Sequence, residues 1–268
     1  MLWQERLRKR LSLSTPRPTA VQRTLRLQRL EDRSLLAINV FLDFTNFAAR
    51  LDEAATAADV EKFGDKPDEL ATIQAGVISK VERLYRNWDI NFGTSQPTGA
   101  FERVIFGQTV ASVIGAAYPN ALGIAGRKGS PVGSTSGVDF LNLHDDDEAF
   151  VFVERFDRYI DDPGLARAVQ ISHLIAAIGL VAAHELGHNF GLMHADAYGD
   201  PAIDVTATAR AQNEHVMASG SATGMNEDEI EGSHYFSLLS AAKLDFATGI
   251  GASSTIPATT ANNGTTAS

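Results

Sequence analysis

Residues 184–194 read His184-Glu185-Leu186-Gly187-His188-Asn189-Phe190-Gly191-Leu192-Met193-His194, and no other stretch limits the fold so tightly. His184 and His188 stand four residues apart. On a helix that spacing puts both imidazoles on one face, one turn apart, within reach of one ion. Glu185 follows the first of them, where its carboxylate can touch a metal-bound water without ligating the ion. Gly191 can take the left-handed conformation that stops a helix, so the chain turns back and His194 approaches as a third ligand. Three neutral imidazoles leave a fourth position for water. That is the arrangement of a catalytic zinc, whereas structural zinc is usually closed by four protein ligands, commonly cysteines, and this chain has none. At average residue frequencies the five fixed positions arise by chance in such a chain with a probability on the order of 10⁻⁵.

Downstream lies Glu214-His215-Val216-Met217-Ala218-Ser219-Gly220, with Met217 placed 23 residues after His194. The pattern H-E-x-x-H-x-x-G-x-x-H with a later methionine resembles the metzincin metalloproteases. The resemblance covers most of residues 38–248. It implies an α+β, zincin-like catalytic domain, in which a mixed five-stranded sheet carries a long zinc-binding helix above a small lower subdomain. It also implies a zinc ion on His184, His188 and His194, Glu185 as general base, and Met217 as the methionine of the tight turn beneath the metal. Phe236-Ser237-Leu238-Leu239-Ser240 resembles the F-S-x-C-S segment of the adamalysin, or reprolysin, branch, and Asn189 suits it too. Ala195 follows the third histidine, with Asp196 one place late, and the branch's cysteines are missing. Ser219 stands where an astacin-like tyrosine ligand belongs.

The rest of the chain reads as scaffold. Ile38 to Phe44 alternates in part and predicts a first strand, followed by a polar, alanine-rich connection. Pro67-Asp68-Glu69 opens a helix whose apolar stripe is Leu70, Ile73, Val77, Val81, Leu84 and Trp88. Asp89–Gly93, Arg103–Gly107, Leu122–Gly126 and Ala149–Val153 read as strands, with a Gly/Ser-rich loop over 129–137. Asp162-Pro163 supplies an N-cap and first-turn proline for a long helix from about Gly164 into the histidines. Phe236 to Leu244 reads as a final helix. By the resemblance, the strand near Gly123–Gly126 is the cleft-lining edge that pairs with an extended peptide.

Charge divides the chain. Its net −10 combines a basic start, with nine Lys+Arg against three Asp+Glu over residues 1–33, and a remainder holding 14 against 30. An acidic body argues against nucleic acid as a partner. Leu30-Glu31-Asp32-Arg33-Ser34-Leu35-Leu36-Ala37 resembles the short L-E-x-R-x-L-L-A motif near the start of many bacterial exported and surface proteins. Residues 1–37 are therefore read as an export segment, 38–250 as the catalytic domain, and 251–268 as a disordered Ser/Thr-rich tail. No run of consecutive apolar residues approaches the roughly 18 that cross a bilayer, so no transmembrane segment is expected.

These readings converge on a secreted or cell-surface zinc endopeptidase acting on protein or peptide substrates. The alternative is an exported adhesion or binding module that keeps the zinc fold with little activity, and a third reading is a zinc hydrolase of non-protein amides. An intact Glu185 favours the enzyme. His144, His173, His215 and His234 are expected in structural or surface roles, and Tyr235 either lines the substrate pocket or packs at a helix start. Calcium is the cation that Asp145-Asp146-Asp147-Glu148 and Asp161-Asp162 would suit, but without EF-hand spacing a solvated turn is favoured.

Overall fold

The computed structural model describes residues 37–115, 120–126, 147–162, 164–198, 214–218 and 230–248. The expected export segment up to residue 36, the expected loop over 129–137, His144, Asp145, Asp146, Pro163, Ser219 and the expected tail from 251 lie outside them.

Five strands form one mixed sheet: β1 (Ile38–Asp43), β2 (Ile90–Gly93), β3 (Glu102–Ile105), β4 (Gly123–Gly126) and β5 (Glu148–Val151). Their order is β2-β1-β3-β5-β4, with β1 parallel to β2 and β3, β3 parallel to β5, and β4 alone antiparallel, at the edge beside β5. All five expected strands are present, shifted by a residue or two at their ends. Beyond β5 the chain winds into two short 3₁₀ turns, Val153–Arg155 and Asp157–Tyr159.

Strand alternation sends successive side chains to opposite faces of the sheet. Val40, Leu42, Val104, Ala149 and Val151 join the main core, whereas Ile105 and Phe150 belong to a smaller cluster with Val110 and Phe152. Val110 opens a single helical turn, after which Val113 packs against that cluster from the margin.

Two further helices precede β2. Helix α1 (Phe47–Ala57) occupies the stretch expected to be a connection. Its buried residues Phe47, Leu51, Ala54 and Ala55 do form a helical stripe, but only two of them are large. Its N-cap, Asn46, adopts a left-handed conformation (φ 64°) and makes no side-chain cap bond, so neither the usual stripe nor the usual cap marks the start. Helix α2 (Pro67–Tyr85) begins on the expected proline and buries Ile73, Val77, Val81 and Tyr85. Lys80 is buried on the same face. Trp88 lies past the helix end.

The turn at Val110–Val113 counts as α3, and the long helix α4 (Arg167–Asn189) follows β5. It starts three residues later than expected. Asp162 caps a tight turn instead, accepting from the Gly164 amide at 2.7 Å, and the α4 N-cap is Ala166. What fixes the start is Arg167, whose guanidinium donates to Glu69 of α2 at 2.7 and 2.8 Å and stacks over Phe63 at 3.6 Å. Helix α4 packs on α2 and on β3, β4 and β5, with nearly every residue after Ala176 buried. By length and composition alone it is long and apolar enough to cross a bilayer, as core helices also can be, and 78% of its most apolar window is buried in the fold.

Helix α5 (Leu238–Thr248) begins after Ser237, whose hydroxyl accepts from the Ser240 amide at 3.1 Å. It starts two residues later than expected and continues past Leu244. Asp147 corrects the expectation of a solvated acidic turn: it is fully buried, and Glu148 is already in β5.

Candidate metal centre

The last two turns of α4 carry His184, Glu185 and His188. The helix then ends in a Schellman turn: the Leu192 amide reaches back to the Gly187 carbonyl at 2.9 Å and the Gly191 amide to that of His188 at 3.0 Å. Gly191 has φ +82°, which a side chain would strain. Reversed there, the chain enters a 3₁₀ turn over His194–Tyr198 that returns His194 to the other two histidines.

The three imidazoles face inward. His194 Nε2 lies 3.0 Å from His184 Nε2 and 3.2 Å from His188 Nε2. Two backbone carbonyls orient the partners: His184 Nδ1 meets Val216 O at 2.6 Å, and His188 Nδ1 meets Leu192 O at 2.7 Å. A carbonyl only accepts, so both Nδ1 atoms carry the proton and both Nε2 atoms present lone pairs. His194 can donate one proton to one of them and leaves the other facing a lone pair. A cation between the three nitrogens satisfies all of them, and this group is the one such cluster among the described residues.

Burial supports the same protonation. It pushes His184 well below the usual imidazole range, helped by the other two histidines, lowers His188 to about 4, and lowers His194. All three are neutral near pH 7, as ligands must be. His184 and His188 are buried while His194 is exposed, so the cluster opens on the His194 side.

Glu185 is buried beside them, and burial pushes its carboxyl up to about 8, against a hydrogen bond from the Ala125 backbone that lowers it. A bound cation would act the other way, favouring the carboxylate. Strand β4 lies directly on this side chain. A Cβ built on Gly123 would stand 2.8 Å from Glu185 Oε1, so the strand passes this close only as glycine.

Met217 is 1% exposed, beneath α4. A Cβ on Gly187 would lie 2.5 Å from its sulfur, so the glycine between the two helical histidines makes the room that the thioether fills. Its segment is held by a bridge to Tyr235, with Val216 N to Tyr235 O at 2.9 Å and Tyr235 N to Glu214 O at 3.0 Å. The carbonyl that orients His184 therefore comes from the residue before Met217.

Several further residues support the site through partners far away in sequence. Asp196, 2% exposed, accepts from the Met193 amide at 2.7 Å and pairs through both oxygens with Lys243 of α5, at 2.8 and 2.7 Å. It thereby fixes the turn that presents His194. Ser237 donates to the Asp196 carbonyl at 2.5 Å. Tyr85 of α2 donates to the Ala183 carbonyl at 2.8 Å, just before His184, and Asn189 donates to buried Glu102 of β3 at 3.1 Å. A polar residue near the third histidine hints at Asp196; its partner 47 residues on cannot be read from spacing.

Of the other histidines, His173 is buried against the Tyr159 carbonyl at 3.1 Å and His215 is buried with its ring 4.6 Å from that of Tyr235. Neither joins the cluster, and nor does His234. Tyr235 is partly exposed, its ring packed on His215. Compared with protein-family models, with curated proteins and with solved structures, the chain finds no match.

Proposed function

We propose that this chain is a zinc-dependent endopeptidase of the metzincin type, nearest to the adamalysin-like branch, exported to act on proteins or peptides. The convergence of three Nε2 atoms, two of them fixed as lone-pair acceptors by backbone carbonyls, is the observation that carries the reading. Zinc suits the donor set: ions bound to nitrogen at about 2.0–2.1 Å in a tetrahedron space their ligands by roughly 3.3 Å, close to the separations seen. Three protein ligands, an open side and neutral imidazoles are what a hydrolytic site requires. Further support comes from Met217 under Gly187 and from the sheet order, which leaves β4 as an antiparallel edge against Glu185.

When bound, zinc supplies acidity to a water molecule and a positive charge for the oxygen that becomes negative. Glu185 removes a proton from the attacking water as its oxygen bonds to the peptide carbonyl carbon. Glu185 then returns that proton to the nitrogen as the carbon–nitrogen bond breaks. The Ala125 amide holds the Glu185 carboxylate in place through both transfers. The outer edge of β4, which pairs with no further strand among the described residues, offers backbone donors and acceptors to an extended peptide, a mode that tolerates many side chains. Export rests on the motif Leu30–Ala37 alone.

A peptide-library digest tests the reading. The wild type is expected to cut unfractionated peptides, and to stop doing so after chelation or on Glu185→Gln. Zinc bound without cleavage would point instead to the adhesion or binding module.

A further inference from the structure

A cavity of about 490 Å³ lies where the end of α2 meets residues 231–236 and α5. Lys80, Arg83, Arg86, His234, Trp88 and Phe236 are among its walls, and none of the clustered histidines is. Lys80 is only 5% exposed. Its aliphatic stem crosses α4 at Gly179, where a Cβ would come within 2.7 Å of the Lys80 Cγ, so the helix is cut away to seat a lysine. No hydrogen bond or ion pair is made by Lys80, Arg83 or Arg86 among the described residues. The two acids on the same wall have other partners. Glu231 accepts from Ser172 at 2.7 Å and faces His173 at 3.7 Å, while Asp245 accepts from the Trp88 indole at 2.9 Å.

Lys80 thus carries its charge on a largely buried side chain with no hydrogen bond or ion pair among the described residues, and the Arg83 guanidinium repels it. The repulsion is visible in the groups themselves. Burial, and then Arg83, lower Lys80 to about 8 against the attraction of Glu231, and burial, and then Lys80, lower His234 to about 4. On a chain of net charge −10 this pocket is a local excess of positive charge.

We propose that this cavity is an oxyanion site for a phosphate or sulfate group, with Lys80 as the inner charge and Arg83 and Arg86 as the outer donors. Guanidinium forks match tetrahedral oxyanions, and an ammonium serves as a point charge at the base. The partly exposed Trp88 ring in the same wall suits a group carried on an aromatic or apolar body as well as a free ion. An occupant would tie residues 231–236 to α2, and so would raise the melting temperature.

The test is thermal unfolding of the zinc-loaded full chain at constant ionic strength in chloride, with added inorganic phosphate, sulfate or phenyl phosphate. Wild type is expected to gain about 3–6 °C at tenfold excess over Kd. Lys80→Met, which keeps the stem and removes the charge, and Arg83→Gln should each lose that gain with zinc content unchanged. A larger gain from phenyl phosphate than from phosphate identifies a carried oxyanion; an equal gain identifies a free one. No gain in wild type with any of the three, or the same gain in both variants, overturns the proposal.

Discussion

Helix α4 borders two incomplete polar groupings of opposite kind, one of acceptors and one of donors. Beside Gly187 three neutral imidazoles bring their Nε2 atoms together; at Gly179 a lysine stem is buried, its ammonium near Arg83 and making no ion pair among the described residues, with Glu231 the acid that faces it. In both places a glycine removes a side chain from the helix so that something else can approach, the Met217 thioether in one case and the Lys80 stem in the other. Helix interiors lose about 1 kcal/mol for each glycine relative to alanine, a cost offset only by what the space admits. The difference lies in how the groups are held. Backbone carbonyls at Val216 and Leu192 fix two imidazoles rigidly, which suits a permanent ion, whereas the cations around Lys80 sit on long side chains at an open wall, which suits an exchanging one.

The largest effect separating the two regions is expected from chelation. Removing the cation should abolish peptide cleavage and readdition of zinc should restore it, as followed with a fluorogenic peptide, while Lys80→Met leaves cleavage unchanged. Dependence of cleavage on Lys80 rather than on metal would reverse the comparison. Next, Glu185→Gln should lower kcat by about 10²–10⁴-fold, the usual worth of a positioned general base, with zinc stoichiometry intact by metal analysis. A variant that loses its zinc as well would assign Glu185 to holding the site together.

A smaller effect probes the space under the histidines. Gly187→Ala should destabilise the fold by about 1–3 kcal/mol in urea unfolding, because the new methyl group overlaps the Met217 sulfur. Combined with Met217→Ala the two losses should sum to less than their separate costs, since the clash is then relieved. Strict additivity would mean that the methionine does not press on the helix.

The smallest effect sharpens the other region. Lys80, facing Arg83, His234 and Glu231, has its folded pKa lowered to about 8 from 10.5. Between those values the unfolded chain binds more protons than the folded one, so this group makes stability rise with pH from about 8 to about 10.5. Lys80→Met should flatten that part of the pH profile in anion-free buffer, as measured by chemical denaturation. An unchanged slope would place the charge elsewhere.

The two regions also differ in how far the sequence exposes them. His184, Glu185, His188, Gly191 and His194 are separated by helical turns along one segment, so their convergence follows from local geometry. What orients them does not: the Val216 and Leu192 carbonyls carry no residue-type signal, and Lys243 reaches Asp196 across 47 residues. The oxyanion pocket takes its three cations from one stretch, Lys80 to Arg86, but closes them in with residues 231–236 and α5, which no local spacing places there. In the α2 pattern Lys80 falls three residues after Val77 and reads as a surface cation at the margin of the apolar stripe, and only its packing over Gly179 shows otherwise.

The same distinction runs through the fold. Strands rich in β-branched and aromatic residues were legible along with α2, whose proline and acids mark its start. Helix α1 was hidden by an alanine-rich stripe and a left-handed Asn46, and the start of α4 by Arg167, which is set by Glu69 and Phe63 rather than by a local cap. Asp147 looked solvated because it sits in a run of acids, yet the chain passes into β5 at the next residue and buries it.

Metal analysis of the full chain joined to X-ray absorption at the zinc edge tests the convergence of His184, His188 and His194 most directly. The expected result is about one zinc per chain, bound by three imidazole nitrogens and one oxygen at about 2.0–2.1 Å. A chain that takes up no zinc, or a zinc spectrum without imidazole scattering, would contradict it.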